Sequence, residues 1–377
     1  MFQTYFSELL LYIILIVFLT ATAVQLIYFW FFYSRLAFSR LPSPKDQQLP
    51  VSVVVCARNE YENLVIFLPL ILEQNYPDFE VVVVNDASDD ESIYLLRDFA
   101  EKYPNLKIVD LPQSLNFFKG KKFPLSIGIK SAKNEIILLT DADCRPASKD
   151  WINVMQLRYD DPDTEIVLGY GGYERSGGIL NRLIRFDTLR VAMSYLSFAL
   201  AGLPYMGVGR NLSYRKSLFY RNNGFISHYQ IPSGDDDLFI NQVAKSANTH
   251  IQIAKEAHTI SIPKKSWTTW VRQKRRHLST SNQYKWYHKL LLAIYPLTEG
   301  LFFAGFLFLA ITFYLPLCVF PAFALRLISS LIVYKGVMKR LNEKNFLFIT
   351  PFLEIFFLIF NIFTYLTRKM NPSKNWK

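Results

Sequence analysis

The sequence predicts an α/β protein: an open, mostly parallel sheet flanked by helices, with one N-terminal and two or three C-terminal transmembrane helices. Three observations carry this. Strand-like and helix-like segments alternate from Pro50 to Thr140, the pattern of βαβ units and a parallel sheet. Leu9 to Phe32 contains no Lys, Arg, Asp or Glu, and ~20 apolar residues are enough to cross a bilayer as a helix. From Leu290 to Leu325 the only charged residue is Glu299.

Composition agrees. The chain of 377 residues is 51% hydrophobic and 19% charged, with 32 Phe and 22 Tyr. Soluble domains carry about 25% charged residues, so part of this chain belongs in lipid. The net charge of +11 has two main readings, a basic flank that orients the spans or a surface for an anionic partner. Nucleic acid ranks last, because no recognised nucleic-acid module is present. Cys56, Cys144 and Cys318 have neither metal nor disulfide spacing, which fits a reducing, cytosolic setting.

Residues 1–40 read as a membrane anchor. The apolar run is followed by Arg35 and Arg40 and lacks a basic leader and a small-residue cleavage site, so it reads as retained. Those arginines place the downstream chain in the cytosol. Leu41-Pro42-Ser43-Pro44-Lys45 reads as a linker. The cytosolic domain then spans 50–280. Val51–Cys56, Phe79–Val84, Leu106–Val109 and Glu135–Thr140 read as strands, with helices at Asn63–Gln74, Ser92–Tyr103 and Phe123–Ala132. Asn59, Asp86 and Asp141 fall just past three strand ends, the edge where such sheets bind ligands.

Further along, Ser176 to Pro204 mixes Arg182, Arg185 and Arg190 with apolar residues. It reads as an amphipathic helix touching membrane or lining a cleft. Ser266 to Trp286, basic with Trp267, Trp270 and Trp286, reads as an interfacial segment. Residues 287–377 form a C-terminal membrane region. Its first apolar run is too long for one span and reads as a hairpin continuing to Tyr334, and Phe346–Leu366 is a further span. Lys335, Lys339, Arg340 and Lys344 place the connection between them in the cytosol. The tail with Arg368, Lys369, Lys374 and Lys377 then falls outside, against the charge rule, unless one C-terminal segment lies in the interface.

Five polar clusters punctuate the domain: Cys56-Ala57-Arg58-Asn59-Glu60, Asn85-Asp86-Ala87-Ser88-Asp89-Asp90, Asp141-Ala142-Asp143, Gly234-Asp235-Asp236-Asp237-Leu238 and Gln273-Lys274-Arg275-Arg276-His277. Each has a plain alternative. The Asn-Asp stretch is also a turn and helix cap, and Asp-x-Asp also a turn. The triple Asp also suits a solvated helix start, and the basic run also suits anionic lipid. The joint occurrence in fixed order is another matter. With these motifs, the region from Pro50 to His277 resembles the inverting glycosyltransferases of family 2, which have the GT-A fold and include cellulose and hyaluronan synthases. The pattern is similar to a membrane-anchored bacterial branch related to the polysaccharide synthases.

The resemblance implies roles. Asp86 would accept from the uracil ring N–H. Ala57, Arg58 and Glu60 would wrap the base and ribose, and Gly120-Lys121 would lie near the nucleotide. The family pattern continues after that lysine with small residues and Asn, which Lys122-Phe123-Pro124-Leu125-Ser126 does not follow. Asp141 would face ribose or metal, and Asp143 would hold the metal. Hard carboxylate oxygens select Mg or Mn, and such an ion neutralises a departing diphosphate. Inversion needs one base to take the acceptor's proton. The family's Glu-Asp-x-Asp-Leu pattern, anchored on Leu238, implies Asp235 as that base. Gly234 then replaces the Glu, and Asp236 is the neighbouring alternative. Adjacent carboxylates also raise one another's pKa. Gln273, Arg276 and His277 match Gln-x-x-Arg-Trp, which closes over the diphosphate and acceptor. Arg276 suits phosphate, and His277 stands where Trp stacks on an acceptor sugar. Gly209 to Arg215 resembles the acceptor-cleft segment, and reads equally as a structural turn and strand.

The expectation is therefore a divalent-metal-dependent, inverting hexosyl- or N-acetylhexosaminyltransferase. It would use a nucleotide diphosphate sugar, UDP-linked, and a lipid or lipid-linked glycan acceptor, at the cytosolic face of a bacterial plasma membrane. The alternatives are a processive polysaccharide synthase and exporter, or a nucleotide-binding transporter or receptor. The last has no need of Asp235 or the Gln-x-x-Arg element. A dinucleotide-dependent dehydrogenase is excluded, since no Gly-x-Gly-x-x-Gly follows the first strand.

Overall fold

The structure, a computed structural model, describes residues 2–40, 48–111 and 120–367. The linker Leu41–Lys45 and the four basic residues of the tail lie outside the described residues. The elements in chain order are α1 (Phe2–Ile27), α2 (Ser34–Ala37), β1 (Val51–Ala57), α3 (Tyr61–Leu72), β2 (Phe79–Asp86), α4 (Ser92–Lys102), β3 (Leu106–Leu111), α5 (Lys122–Ser131), β4 (Ile136–Asp141), β5 (Cys144–Pro146), α6 (Trp151–Gln156), β6 (Ile166–Gly169), β7 (Gly171–Tyr173) and α7 (Ile179–Leu200). They continue with β8 (Leu212–Arg215), α8 (Lys216–Arg221), α9 (Asp237–Val243), β9 (Thr249–Gln252), β10 (Thr259–Ser261), α10 (Trp267–Thr280), α11 (Trp286–Ile311), α12 (Pro316–Arg340) and α13 (Thr350–Leu366). They fall into two compact units, one of residues 1–39 with 285–366 and the other of 40–284 with 367–377.

The second unit is built on a seven-stranded sheet in the order β3-β2-β1-β4-β8-β6-β9. β1 pairs in parallel with both β2 and β4, and β2 with β3. All seven residues of β1, Val-Ser-Val-Val-Val-Cys-Ala, are buried, as a central parallel strand covered on both faces requires. The chain winds from β1 through β2 to β3, then crosses back to lay β4 on the other side of β1. This reversal is the switch point where the carboxyl ends of the strands open a crevice. Cys56 of β1 stands in register with Asp141 of β4, and Ala57 with Asn85 of β2. Asp86 and Asp141 are the last residues of their strands rather than the first beyond them. The reason at β2 is that β3 reaches Leu111, so Asn85 and Asp86 still have partners in Asp110 and Leu111.

Beyond β4 the sheet turns antiparallel through β8 and β6, and a second sheet runs β5-β10-β7. These strands have three or four residues each, too short to show a period of two. The segment read as an amphipathic membrane or cleft helix is α7, and it is not a surface helix. Leu183, Phe186, Leu189, Met193 and Leu196 are buried together with Arg185 and Asp187. Tyr195 Oη donates to the Gly169 carbonyl at 2.6 Å, and Lys274 Nζ reaches Asp187 at 2.8 Å. α10 starts on a Ser266 cap whose Oγ accepts from Thr269 N. It buries Trp270 and leaves Trp267 exposed.

The first unit contains the helices long and apolar enough to cross a membrane: residues 7–37, Trp286–Ile311, Pro316–Arg340 and 347–366. The hairpin breaks between Ile311 and Pro316. Lys335, Lys339 and Arg340 belong to the last turns of α12 rather than to a loop, where their charge suits the helix C-terminus. Phe18, Phe302 and Phe323 stack at 5.4 and 5.5 Å between ring centroids. The isolated carboxylates of the apolar sequence find a partner here. Arg326 Nη1 pairs with Glu354 at 2.6 Å, and Nη2 lies 3.8 Å from Glu299 and 3.0 Å from Gln25 Oε1, all buried. Charges within apolar helices are stable only when paired in this way.

Candidate active site

The polar clusters meet at the carboxyl edge of β1, β2 and β4. Asp86 is 1% exposed and receives Arg58 Nη1 at 3.7 Å, Arg58 being the residue after β1. Ala57, buried, closes β1 itself. Glu60 sits just before α3, where its Oε2 accepts from Asn63 at 2.5 Å. With Asn59, Tyr61, Glu62, Asn63, Asp90 and Glu91 it lines a separate cleft that excludes Asp141, Asp143 and Asp235.

Asp141 ends β4 and forms an ion pair with Lys121. Burial pushes the Asp141 carboxyl up. Lys121 first, then Arg210 and Arg276, outweigh that and hold it below the usual carboxylate range. Burial works against the Lys121 ammonium, yet Asp141 and Asp235 keep it charged. The buried Cys56 thiol lies in the field of Lys121, Asp235, Asp141 and Asp86 together, so the groups from four separate motifs form one cluster. Burial pushes that thiol up to about 12, which removes it as a nucleophile at neutral pH.

Two residues on, burial and the charge of Asp141 raise the Asp143 carboxyl. One ligand atom each from Asp141, Asp143 and Cys144 lies within 4.8 Å of the others. Two close carboxylates, the charge of one penalising ionisation of the other, are a donor set that a hard divalent cation fits. Cys144 is already engaged with Ser261 Oγ at 2.8 Å.

The three consecutive aspartates differ sharply. Asp237 is buried, and its Oδ2 accepts from Thr280 Oγ1 and from Tyr284 Oη at 2.8 Å. Asp236 caps α9: Oδ1 accepts from Asp237 N and Oδ2 from Gly209 N, both at 2.7 Å. Burial, then its two neighbours, raise Asp236 to about 7. Asp237 is raised as well, by burial first, so two of the three show the expected elevation. Asp235, half-buried, has no hydrogen bond among the described residues. Gly234 before it has φ +99°, and a Cβ there would lie 2.5 Å from Leu238 Cδ1. The Glu of the family pattern does not fit this turn, which explains the glycine.

α10 brings the last motif. Arg276 and His277 both act electrostatically on or with Asp141. Gln273 Nε2 instead donates to Tyr173 Oη at 3.3 Å. Arg210 is a residue whose place the motifs did not indicate. Its guanidinium lies 4.5 Å over the Tyr173 ring and lowers the carboxyls of Asp141 and Asp143. Its backbone oxygen accepts from Thr140 Oγ1 and Thr259 Oγ1. The signal for it was the Gly209–Arg215 segment, read equally as an acceptor-cleft segment and as a structural turn and strand; it forms a turn leading into β8.

A mostly parallel sheet with a switch-point crevice, an Asp-x-Asp pair and convergent Lys and Arg residues defines the class: the fold is GT-A. Over 93% of the chain it is similar to a mannosyltransferase from Pyrobaculum calidifontis solved with GDP-Man and Mn2+, with a TM-score of 0.58, 20% identity and 99% of that chain covered. Residues 52–222 match the family described as Glycosyl transferase family 2. It is 26% identical over 249 residues to a protein of Bacillus subtilis (strain 168) named "Probable glycosyltransferase YdaM", covering 63% of this chain and 56% of that one. It is 31% identical over 118 residues to the poly-beta-1,6-N-acetyl-D-glucosamine synthase of Staphylococcus epidermidis, 30% of this chain and 27% of that one. The chain thus spans about half the length of one relative and about a quarter of the other. The family match ends before Asp235 and α10.

Proposed function

We propose that this chain is a metal-dependent, inverting glycosyltransferase. It moves a sugar from a nucleotide diphosphate donor, UDP-linked, to a lipid or lipid-linked glycan at the cytosolic face of a bacterial plasma membrane. The observation that carries this reading is that Asp235, a carboxylate with no hydrogen bond among the described residues, acts by charge on the Lys121 that pairs with Asp141. A relative named for a polysaccharide and others named "Beta-monoglucosyldiacylglycerol synthase" support a sugar acceptor or a lipid one. Four apolar helices support work at a membrane. Arg35 and Arg40 after the first of them support a cytosolic domain.

Asp86, braced by Arg58, binds the base edge of the nucleotide. Lys121 and Arg276 face the diphosphate, where fixed positive charge counts most in a water-poor site. Asp141 and Asp143 would hold Mg or Mn, which when bound supplies Lewis-acid stabilisation of the departing diphosphate. The acceptor oxygen forms its bond to the anomeric carbon from the face opposite the diphosphate. The bond to the diphosphate oxygen breaks and that group leaves with the electron pair. The acceptor's hydroxyl proton passes to a carboxylate oxygen of Asp235.

The test is release of free nucleotide by the purified full chain in detergent, with and without lipid extract. The donors are UDP-glucose, UDP-galactose, UDP-N-acetylglucosamine and GDP-mannose. A UDP-sugar turned over faster with extract is the expected result. Turnover of GDP-mannose alone removes the UDP assignment, and no turnover of any donor removes the reading.

A further inference from the structure

Lys122 departs from the small residue that the family pattern has at that place, and the structure gives it a task. It opens α5 and is 3% exposed. Its Nζ donates to three backbone carbonyls, those of His228, Ile231 and Ser233, each at 2.7 Å. All three belong to the stretch that leads from the turn Ile226–His228 to Gly234 and Asp235. This stretch is irregular; the His228 carbonyl also accepts from Ile231 N at 3.1 Å, and buried carbonyls outside sheet and helix ladders must find such partners. One ammonium with three protons does it from a single point. A second contact comes from Gly120, whose φ is +134° and whose added Cβ would lie 2.5 Å from the Pro232 oxygen. Between these two residues, Lys121 turns the other way, onto Asp141.

We infer that Lys122 is a positioning residue for the transfer reaction: it fastens the loop carrying Asp235 to the same turn whose Lys121 holds the donor-side carboxylate. The inference rests on Asp235 being the base. Lys122 spends all three donors on the loop before Asp235, and neither partner set of Asp236 or Asp237 reaches that loop. A displacement of about 1 Å at a reacting group costs on the order of 10²-fold in rate, so the loop's position matters more than its stability.

The experiment uses the full chain in nanodiscs with the donor that the screen identifies. Lys122→Met, Lys122→Arg, Asp235→Asn and the double variant Lys122→Met/Asp235→Asn are compared with the parent. Hydrogen exchange is read on residues 226–236, UDP affinity by titration, and kcat and KM by nucleotide release. Lys122→Met should speed exchange in that stretch and lower kcat on the order of 10²-fold, with UDP affinity and donor KM little changed. Lys122→Arg, which keeps charge and donors, should lose less. The double variant should be no slower than Asp235→Asn alone. Unchanged exchange in Lys122→Met, a KM that rises in step with the fall in kcat, equal losses in Met and Arg, or a further loss in the double variant overturns the inference. If Lys122→Met does not fold, Lys122→Gln, which lacks the three-proton ammonium, carries the comparison: faster exchange with reduced kcat supports the inference, and parental exchange and kcat overturn it. Should Asp235→Asn turn over normally, the base assignment fails by itself, and the exchange data still decide whether Lys122 fastens the loop.

Discussion

Asp235→Asn will bind UDP and metal as the parent does and transfer sugar on the order of 10²–10⁴-fold more slowly, the usual share of a general base. Asparagine keeps the size and removes the basicity. Of the three neighbouring carboxylates, only Asp235 has its oxygens uncommitted among the described residues. Asp236 already accepts two backbone N–H groups, and Asp237 accepts two hydroxyls. Loss of turnover without loss of ground-state binding marks an interaction made only in the transition state. Single-turnover rates and UDP titrations measure the two separately. An active Asp235→Asn beside an inactive Asp236→Asn would move the base by one residue. Activity in both would remove the motif from the mechanism.

Asp143→Asn, or a chelator acting on the parent, will remove turnover and also the metal-dependent part of UDP affinity. Asp141 is engaged by Lys121, whereas among the described residues the carboxylate of Asp143 accepts only the weak Cys144 Sγ contact at 3.4 Å, with Lys264 and Arg210 acting on it by charge. Burial and the charge of Asp141 penalise its ionised form. A divalent cation held by these carboxylates would reverse that penalty, because an opposite charge favours ionisation. Titration of UDP with Mn, with Mg and with chelator gives a readout independent of catalysis. An Asp143→Asn chain that keeps the full metal increment would assign the ion to other residues.

Much of the donor side was legible because parallel strands buried on both faces are written as apolar runs. Val51–Cys56 and Phe79–Val84 end at their polar residues, and the switch-point rule then places Asp86 and Asp141 on one edge. The acceptor side was less legible. Asp235, Asp236 and Asp237 are identical in type and adjacent, and only their partners distinguish them: Gly209, Thr280 and Tyr284 come from 27, 43 and 47 residues away. Lys122 looked like a departure from a pattern, since no local signal says that it meets carbonyls more than a hundred residues on. The basic residues of Ser176–Pro204 suggested an amphipathic helix touching membrane or lining a cleft. Asp187 pairs with Lys274, and Arg185 is buried, so the helix is largely interior, which charge alone did not show. The short strands β5, β7 and β10 carry no periodic signal, yet they hold Cys144 against Ser261 beneath Asp143.

The most direct test of the account is the stereochemistry of transfer. A single displacement with Asp235 as base inverts the anomeric carbon once, because the acceptor arrives opposite the departing diphosphate. Proton NMR of the product, formed from an α-linked UDP-sugar by the purified full chain with its acceptor, reads the configuration at that carbon. The account predicts a β-linked product; an α-linked product, formed with retention, would contradict it.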